Sequence, residues 1–540
     1  MSMRDKHIGR LETYQYDVLI IGGGINGAVS AAAMAGSGID ACLIDAKDFS
    51  SGTSQESSNL VWGGIKYLES YEFSLVRKLC SARNRLLDAY PSSVRETRFY
   101  TSLPKGFRFP RIFVYLGSVF YWFIGGFYTQ FPRLLSKSDI KKEFPVVNNS
   151  ATQGGVEYSD ALMVDNDARF CFQFIKTALS LGATCVNYMQ WQSATKRADG
   201  SWESIVVDAT CGKQYKIISK SIVNAAGPSV NRIIDKLGMT SNFKHVFSKG
   251  VHLIVPQITS VKKILTFFAK DGRLFFMVPM GTKTCIGTTD EVVEDFREPV
   301  NDNDREFLLD NINSLLSLVA PLTKGDIIAE RCGSRPLVVK NLKGVDHSKS
   351  EWTQLSRKHE IEVDDEKAVV SIFGGKLTDC LNVGEEVMEV VSELISKKAS
   401  DIQKWYGEPD LVTKASFFNS AAASFLDNHT PPTSVEPLSE RMWRRYGVLS
   451  QLVVEYINRD SSMAEEIFAG SECIYAEALL AKEFEMVVEL EDFLRRRASV
   501  SLLIKDHDLL QIDTLNRLAH ILFDDKASEK VERFISQYGK

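Results

Sequence analysis

Gly22, Gly24 and Gly27 form a GxGxxG turn, and Asp45 follows about 20 residues later. Between a strand and a helix, such a turn lets a diphosphate rest on backbone N–H groups at the helix N-terminus. The first glycine permits the tight turn, the second lets phosphates approach the backbone, and the third lets helix and strand pack. A carboxylate ending the next strand is placed to accept hydrogen bonds from ribose hydroxyls. The spacing predicts a bound dinucleotide without choosing between NAD and FAD. Ser54, Ser57 and Ser58 lie in the loop beyond Asp45, where hydroxyls can reach a diphosphate, although serine-rich loops are usually only loops. Two later segments, NAAGPSV at 224–230 and FGGKLTD at 373–379, end apolar runs in glycine turns.

The elements that must position these residues are legible around them. YDVLII at 16–21 reads as a buried parallel strand, NGAVSAAAMAGS at 26–37 as a helix of small residues, and DACLID at 40–45 as a second strand. Strand patterns recur at 205–209, 220–225, 251–255, 274–278 and 369–373, between helices at 168–181 and 304–318. This mixture predicts an α/β protein with a second sheet. From Ile112 to Pro132 no residue is charged, and Arg111 and Arg133 flank the stretch. The expectation there is a helical hairpin, buried or dipping into lipid, with ordinary core and a true membrane span as alternatives. Residues 400–437 read as a linker region, and the pattern beyond turns helical, with Ile512, Leu515, Leu518, Ala519 and Leu522 on one face.

A chain of 540 residues with 44% hydrophobic and 25% charged residues should fold throughout into two or three domains. A net charge of −5 offers no basic footprint for nucleic acid. The nine cysteines form no CxxC pair and no metal-ligand spacing, so a reducing compartment and no metal site are expected. The first sixteen residues hold no apolar stretch of the secretory kind.

Taken in order, the glycine turns resemble the glycine-oxidase and D-amino-acid-oxidase superfamily, in which they embrace the diphosphate and ring of FAD. Within it, IIGGGINGA, SSNLVWGGIKYLESYEFSLVR, EYSDALMVDNDAR, KGVHLIVP, IGTTD, CGSRPL and FGGKLTD resemble the FAD-dependent glycerol 3-phosphate dehydrogenases, over residues 14 to 525. The resemblance implies an FAD-binding Rossmann-like domain of the glutathione-reductase type (14–100, 151–240 and 330–400). It further implies a mixed α+β substrate or cap domain (101–150 and 241–329) and a C-terminal helical domain (410–540). FAD would be noncovalent, with Ala226, Gly227, Gly374, Gly375, Leu377 and Thr378 joining the first glycine turn and the serines around it. The implied reaction moves a hydride from carbon two of glycerol 3-phosphate to the flavin. His252 matches the family's candidate base, with an ordinary pKa near 6.5 suited to the task; on its own residues it reads as a core histidine on a strand. Arg335 matches an arginine beside the substrate and Arg357 one that holds the phosphate, as a guanidinium fork does well. Lys376 could stabilise the reduced flavin or a phosphate, and Lys66, Tyr67 and Thr288 contact substrate. The implied partners are a small phosphorylated polyol, a quinone or other electron acceptor, and a membrane surface on the cytoplasmic side. A homodimer is admitted, the oligomeric state being open.

The chain departs from that pattern at several positions. Trp62 and Lys66 stand where the family usually has histidine and arginine, and Asp379, Cys380 and Leu381 where it has threonine, tyrosine and arginine. A cation near the flavin or substrate is therefore expected to be missing. These departures keep two alternatives open: a flavin oxidase or dehydrogenase of another hydroxy or amino substrate, and a flavoprotein without turnover.

Overall fold

The computed structural model describes residues 2–150, 152–269, 272–341, 358–397 and 403–538. Its first sheet is built on the strand Gln15–Ile21, which pairs in parallel with Ala41–Ile44 on one side and Gln214–Asn224 on the other. Val369–Phe373 and Thr184–Val186 extend it, again in parallel, and Glu360–Asp364 adds an antiparallel edge. Val18, Leu19 and Ile20 have no exposed surface, each worth about 1.5–3 kcal/mol of burial. That explains why an unbroken apolar run, rather than an alternating one, sits at the centre of a sheet covered on both faces.

The helix Ile25–Gly36 packs over this sheet between Asp167–Ser180 and Cys380–Leu394. Its small residues are required by the approach. A Cβ on Gly27 would lie 1.9 Å from the carbonyl oxygen of Gly22, a distance no other residue survives. Gly384, on the neighbouring helix, has the Val29 carbonyl oxygen 3.0 Å from where a Cβ would be.

The second sheet has ten strands and is largely antiparallel. Its long strand Phe243–Pro256 lies between Lys283–Gly287 and Ala329–Lys340. Val94–Pro104, Thr152–Met163 and Ala329–Lys340 pair here, although they fall largely inside segments assigned from sequence to the nucleotide-binding unit. Strand periodicity records which face is buried but not which sheet a strand joins.

Between Ile112 and Pro132 there is one helix, Arg111–Ile124, and not a hairpin. It ends at Gly125 and Gly126, the latter with φ +74°, and the chain returns as the short strand Arg133–Leu135. Its 14 residues span about 21 Å, against a hydrocarbon core of about 30 Å. Among the described residues no helix is long and apolar enough to cross a membrane. Among the described residues beyond 410 no strand joins either sheet. Part of the expected linker is the helix Leu411–Ala423, capped by Asp410. Leu515, Leu518, Ala519 and Leu522 enter the C-terminal core, whereas Ile512, in the first turn of its helix, is exposed.

Candidate functional site

A cavity of about 370 Å3 opens where the two sheets meet. One wall is made of chain turns: Gly24 to Asn26, the serine loop with Ser54, Ser57 and Ser58, Gly227, and Gly374 to Thr378. These turns are bonded to one another. The Ser54 hydroxyl accepts from the Ile25 N–H at 2.9 Å, and the Asn26 side chain donates to the Gly374 carbonyl at 2.9 Å. Gly374 and Gly375 both have positive φ, +63° and +108°, which lets the chain turn back between strand and helix. Thr378 accepts from the Trp62 N–H at 3.1 Å. Gly24, Ile25 and Asn26, at the start of the Ile25–Gly36 helix, line the cavity, so the N-terminal dipole of that helix faces it.

Gly22, Gly27, Asp45, Ala226 and Tyr67 do not line this cavity. Gly22 and Gly27 act by close packing. Asp45 orients the first turn: its carboxylate accepts from the Gly23 N–H at 2.7 Å and the Lys47 N–H at 2.8 Å. Burial pushes this carboxyl up to about 6. The direct partners of Asp45 are therefore backbone amides; each oxygen keeps a second lone pair for a ribose hydroxyl.

The facing wall comes from the second sheet. His252 is 3% exposed, and among the described residues neither ring nitrogen has a hydrogen-bond partner. Burial first, then the nearby Arg335 and Arg331, lower its pKa to about 3. The expectation of an ordinary histidine near 6.5 is thus corrected: a desolvated imidazole beside two cations resists protonation. Arg335 donates to the Thr288 hydroxyl at 3.0 Å and to Asp290 at 3.3 Å. Glycines make room for both side chains, Gly287 beside the imidazole and Gly250 under the guanidinium. Lys376 donates to the Tyr67 hydroxyl at 2.6 Å and sits 4.1 Å from that ring's centre, so Tyr67 holds a lysine where a direct substrate contact was expected.

Three charged lining residues escaped the sequence reading. Arg273 donates to the Asp290 carbonyl at 2.8 Å, and Asp290 and Glu56 add carboxylates. Asp290 sat in plain view in IGTTD, whereas Arg273 stands outside every motif singled out. Arg357 lies outside the described residues.

The departures divide into two kinds. Trp62 and Lys66 line the cavity, the indole N–H donating to the Tyr158 hydroxyl at 3.3 Å. Cys380 and Leu381 are buried in the core behind it, and Asp379 pairs with His359 at 3.1 Å. The cations of the wall are Lys66, Arg273, Arg335 and Lys376.

A family model described as FAD dependent oxidoreductase matches residues 17–357. The chain is 31% identical over 401 residues to the aerobic glycerol-3-phosphate dehydrogenase of Bacillus subtilis (strain 168), covering 73% of this chain and 70% of that one. It is 29% identical over 403 residues to the protein of the same name from Staphylococcus aureus (strain USA300), with the same coverage. The solved structure of the glycerol-3-phosphate dehydrogenase from Bacillus halodurans complexed with FAD shares the fold. The TM-score is 0.74 at 24% identity, over 100% of this chain and 96% of that one.

Proposed function

Because the chain belongs to the FAD-dependent oxidoreductase family, we propose that it oxidises sn-glycerol 3-phosphate to dihydroxyacetone phosphate with FAD as its cofactor. The residues present fit that cofactor: a helix N-terminus opening on the cavity, glycine at each point of close approach, and hydroxyl-bearing turns on one wall. When bound, FAD supplies a two-electron acceptor for hydride. The observation that carries the substrate assignment is the opposite wall. There a buried imidazole, without a partner among the described residues, shares the cavity with the cations Lys66, Arg273, Arg335 and Lys376. The relatives named for glycerol 3-phosphate oxidation support the same choice.

In this reading Arg335 and Arg273, with Lys66 and Lys376, bind the phosphate, and Arg357 contributes as its family counterpart does. Bidentate guanidinium contacts discriminate a phosphate dianion from an uncharged polyol. His252 is neutral at physiological pH and takes the proton of the C2 hydroxyl while the C2 hydrogen leaves with both electrons, so that the ketone forms without a charged alkoxide. A dianion beside Arg335 offsets the positive potential that depresses His252, so substrate binding itself raises the basicity of the imidazole. Tyr67 steadies Lys376, and Thr288 steadies Arg335.

The electrons pass to a membrane quinone in the same proposal. The face of the Arg111–Ile124 helix bearing Ile112, Phe113, Leu116, Phe120 and Phe123 is exposed, with Arg108 and Arg133 near its ends. Such a face suits shallow insertion into one leaflet on the cytoplasmic side, with cations at the headgroups. A second reading, oxidation of another small hydroxy or amino substrate, is favoured specifically by Trp62 and Lys66 in the cavity wall.

Anaerobic bleaching of the bound flavin by a panel of glycerol 3-phosphate, glycerol, hydroxy acids and amino acids tests the assignment. Bleaching by glycerol 3-phosphate at the lowest concentration is expected. Faster bleaching by an unphosphorylated compound overturns it in favour of the second reading, and no bleaching by any member indicates a flavoprotein without turnover. Peroxide release on reoxidation in air separates an oxidase from a quinone-linked enzyme.

A further inference from the structure

The serine loop that lines the cofactor wall is held from outside by three consecutive arginines of the C-terminal helical region. Residues Asp492–Arg497 form one wide helical turn in which Arg495, Arg496 and Arg497 are all buried. Arg497 grips Asp48 with both terminal nitrogens, at 2.9 and 2.8 Å, and Arg496 reaches the same carboxylate at 2.7 Å. Arg496 also donates to the Gln55 side chain at 3.2 Å. Arg495 donates to the Gln55 carbonyl and to Glu56, and Arg331, from the second sheet, donates to that same carbonyl at 3.3 Å.

The clamped segment is the one that meets the cofactor. Between Asp48 and Glu56 the chain donates from the Ser50 N–H to the Gly23 carbonyl at 3.0 Å and caps the Ile25 N–H with Ser54. Glu56, touched by Arg495, lines the cavity, and its second carboxylate oxygen is buried without a partner among the described residues. Loops of this kind ordinarily fluctuate. This one has its two ends tied to the C-terminal helices by charged hydrogen bonds, the stronger kind.

We propose that the C-terminal helical region is a working part of the cofactor site: Arg495, Arg496 and Arg497 are positioning residues that hold loop 48–58 in the form that receives FAD. The proposal rests on the FAD reading above. By linkage the effect is reciprocal, so bound FAD must in turn steady the arginine turn.

The test uses the full chain, freed of flavin and titrated with FAD. Arg495→Gln removes contacts to Gln55 and Glu56 while leaving the paired Asp48 cluster intact. The expected result, at a temperature where both flavin-free proteins are folded, is FAD binding weakened roughly tenfold or more, with Arg495→Lys recovering part of the loss. A purely structural role lowers the flavin-free melting temperature and leaves the FAD dissociation constant alone, which overturns the proposal. Hydrogen exchange on the unaltered protein keeps the test open should the variant fail to fold. Slower exchange at 492–498 and 48–58 on adding FAD is expected, and equal exchange at 492–498 overturns the proposal. An unaltered chain that takes up no FAD overturns the FAD reading and this proposal together, and is recognised before any variant is made.

Discussion

At His252 the sequence offers only a residue type, and the surroundings decide its chemistry. Its pKa, lowered to about 3 by burial and Arg335, lies below the unfolded value near 6.5, so between those values the unfolded chain binds more protons than the folded one. Stability from this group is therefore complete above about pH 6.5 and is lost as pH falls towards 3. Denaturant titrations of the flavin-loaded protein are expected to lose stability with a steeper acid slope than His252→Leu. In kinetics the free enzyme's imidazole is already neutral, so the acid limb of kcat/KM should follow the second phosphate pKa of the substrate, near 6. A phosphonate analogue with a higher second pKa should move that limb upward; a limb that stays in place assigns it to the protein. Arg335 makes a separate prediction. Arg335→Ala should lower kcat/KM by roughly ten- to a hundredfold, the worth of a charged hydrogen bond of about 1.5–3 kcal/mol, with the ratio of flavin to protein unchanged. Unaltered kcat/KM, or loss of flavin from the purified variant, removes Arg335 from the phosphate site.

Among the elements, Arg111–Ile124 carries a separable consequence. Phe113 is 65% and Phe123 57% exposed, a load of aromatic surface that an isolated soluble helix has no use for. Burying each ring in lipid contributes about 1.5–3 kcal/mol. Co-sedimentation with anionic liposomes should therefore fall at least tenfold in Phe113→Asp and in Phe123→Asp, with flavin content and activity on a soluble dye acceptor retained. Equal recovery of both variants with liposomes, or an unaltered protein that ignores liposomes, rejects this helix as the point of attachment. Tyr121, on the buried side, donates to Asp160 at 2.8 Å, which in turn accepts from the Gly63 N–H beside Trp62 at 3.1 Å. The exposed helix and the cavity wall are thus two sides of one packed layer.

Across the whole molecule, the cavity takes its walls from both sheets, and its serine loop is fastened by the C-terminal helices. Among the described residues that line it none is a cysteine, and the one histidine, His252, is the proposed base on the wall opposite the cofactor turns. Acid precipitation of the purified protein is accordingly expected to release all of its FAD into the supernatant. Yellow colour retained in the washed pellet contradicts noncovalent binding.

Local order was legible wherever a physical requirement acts over a few residues. The strand at 16–21, the small-residue helix after it and the glycine turn follow from burial on both faces and from a backbone approach that admits no Cβ at Gly27. The turns at 224–230 and 373–379 were visible too, but only their order along the chain pointed to one ligand. What tertiary structure decided is everything that depends on residues far apart in sequence. Arg273 faces the same cavity as Arg335 and Lys376, and no spacing rule connects them. Leu377 and Thr378 line the wall while Cys380 and Leu381 turn into the core, a distinction set by the course of the chain after Lys376 and not by residue type. The pKa of His252 and the grip of Arg495 to Arg497 on Asp48 and Gln55 likewise arise from burial and charge brought together by folding, because electrostatic energies depend on distance and desolvation, and sequence separation measures neither.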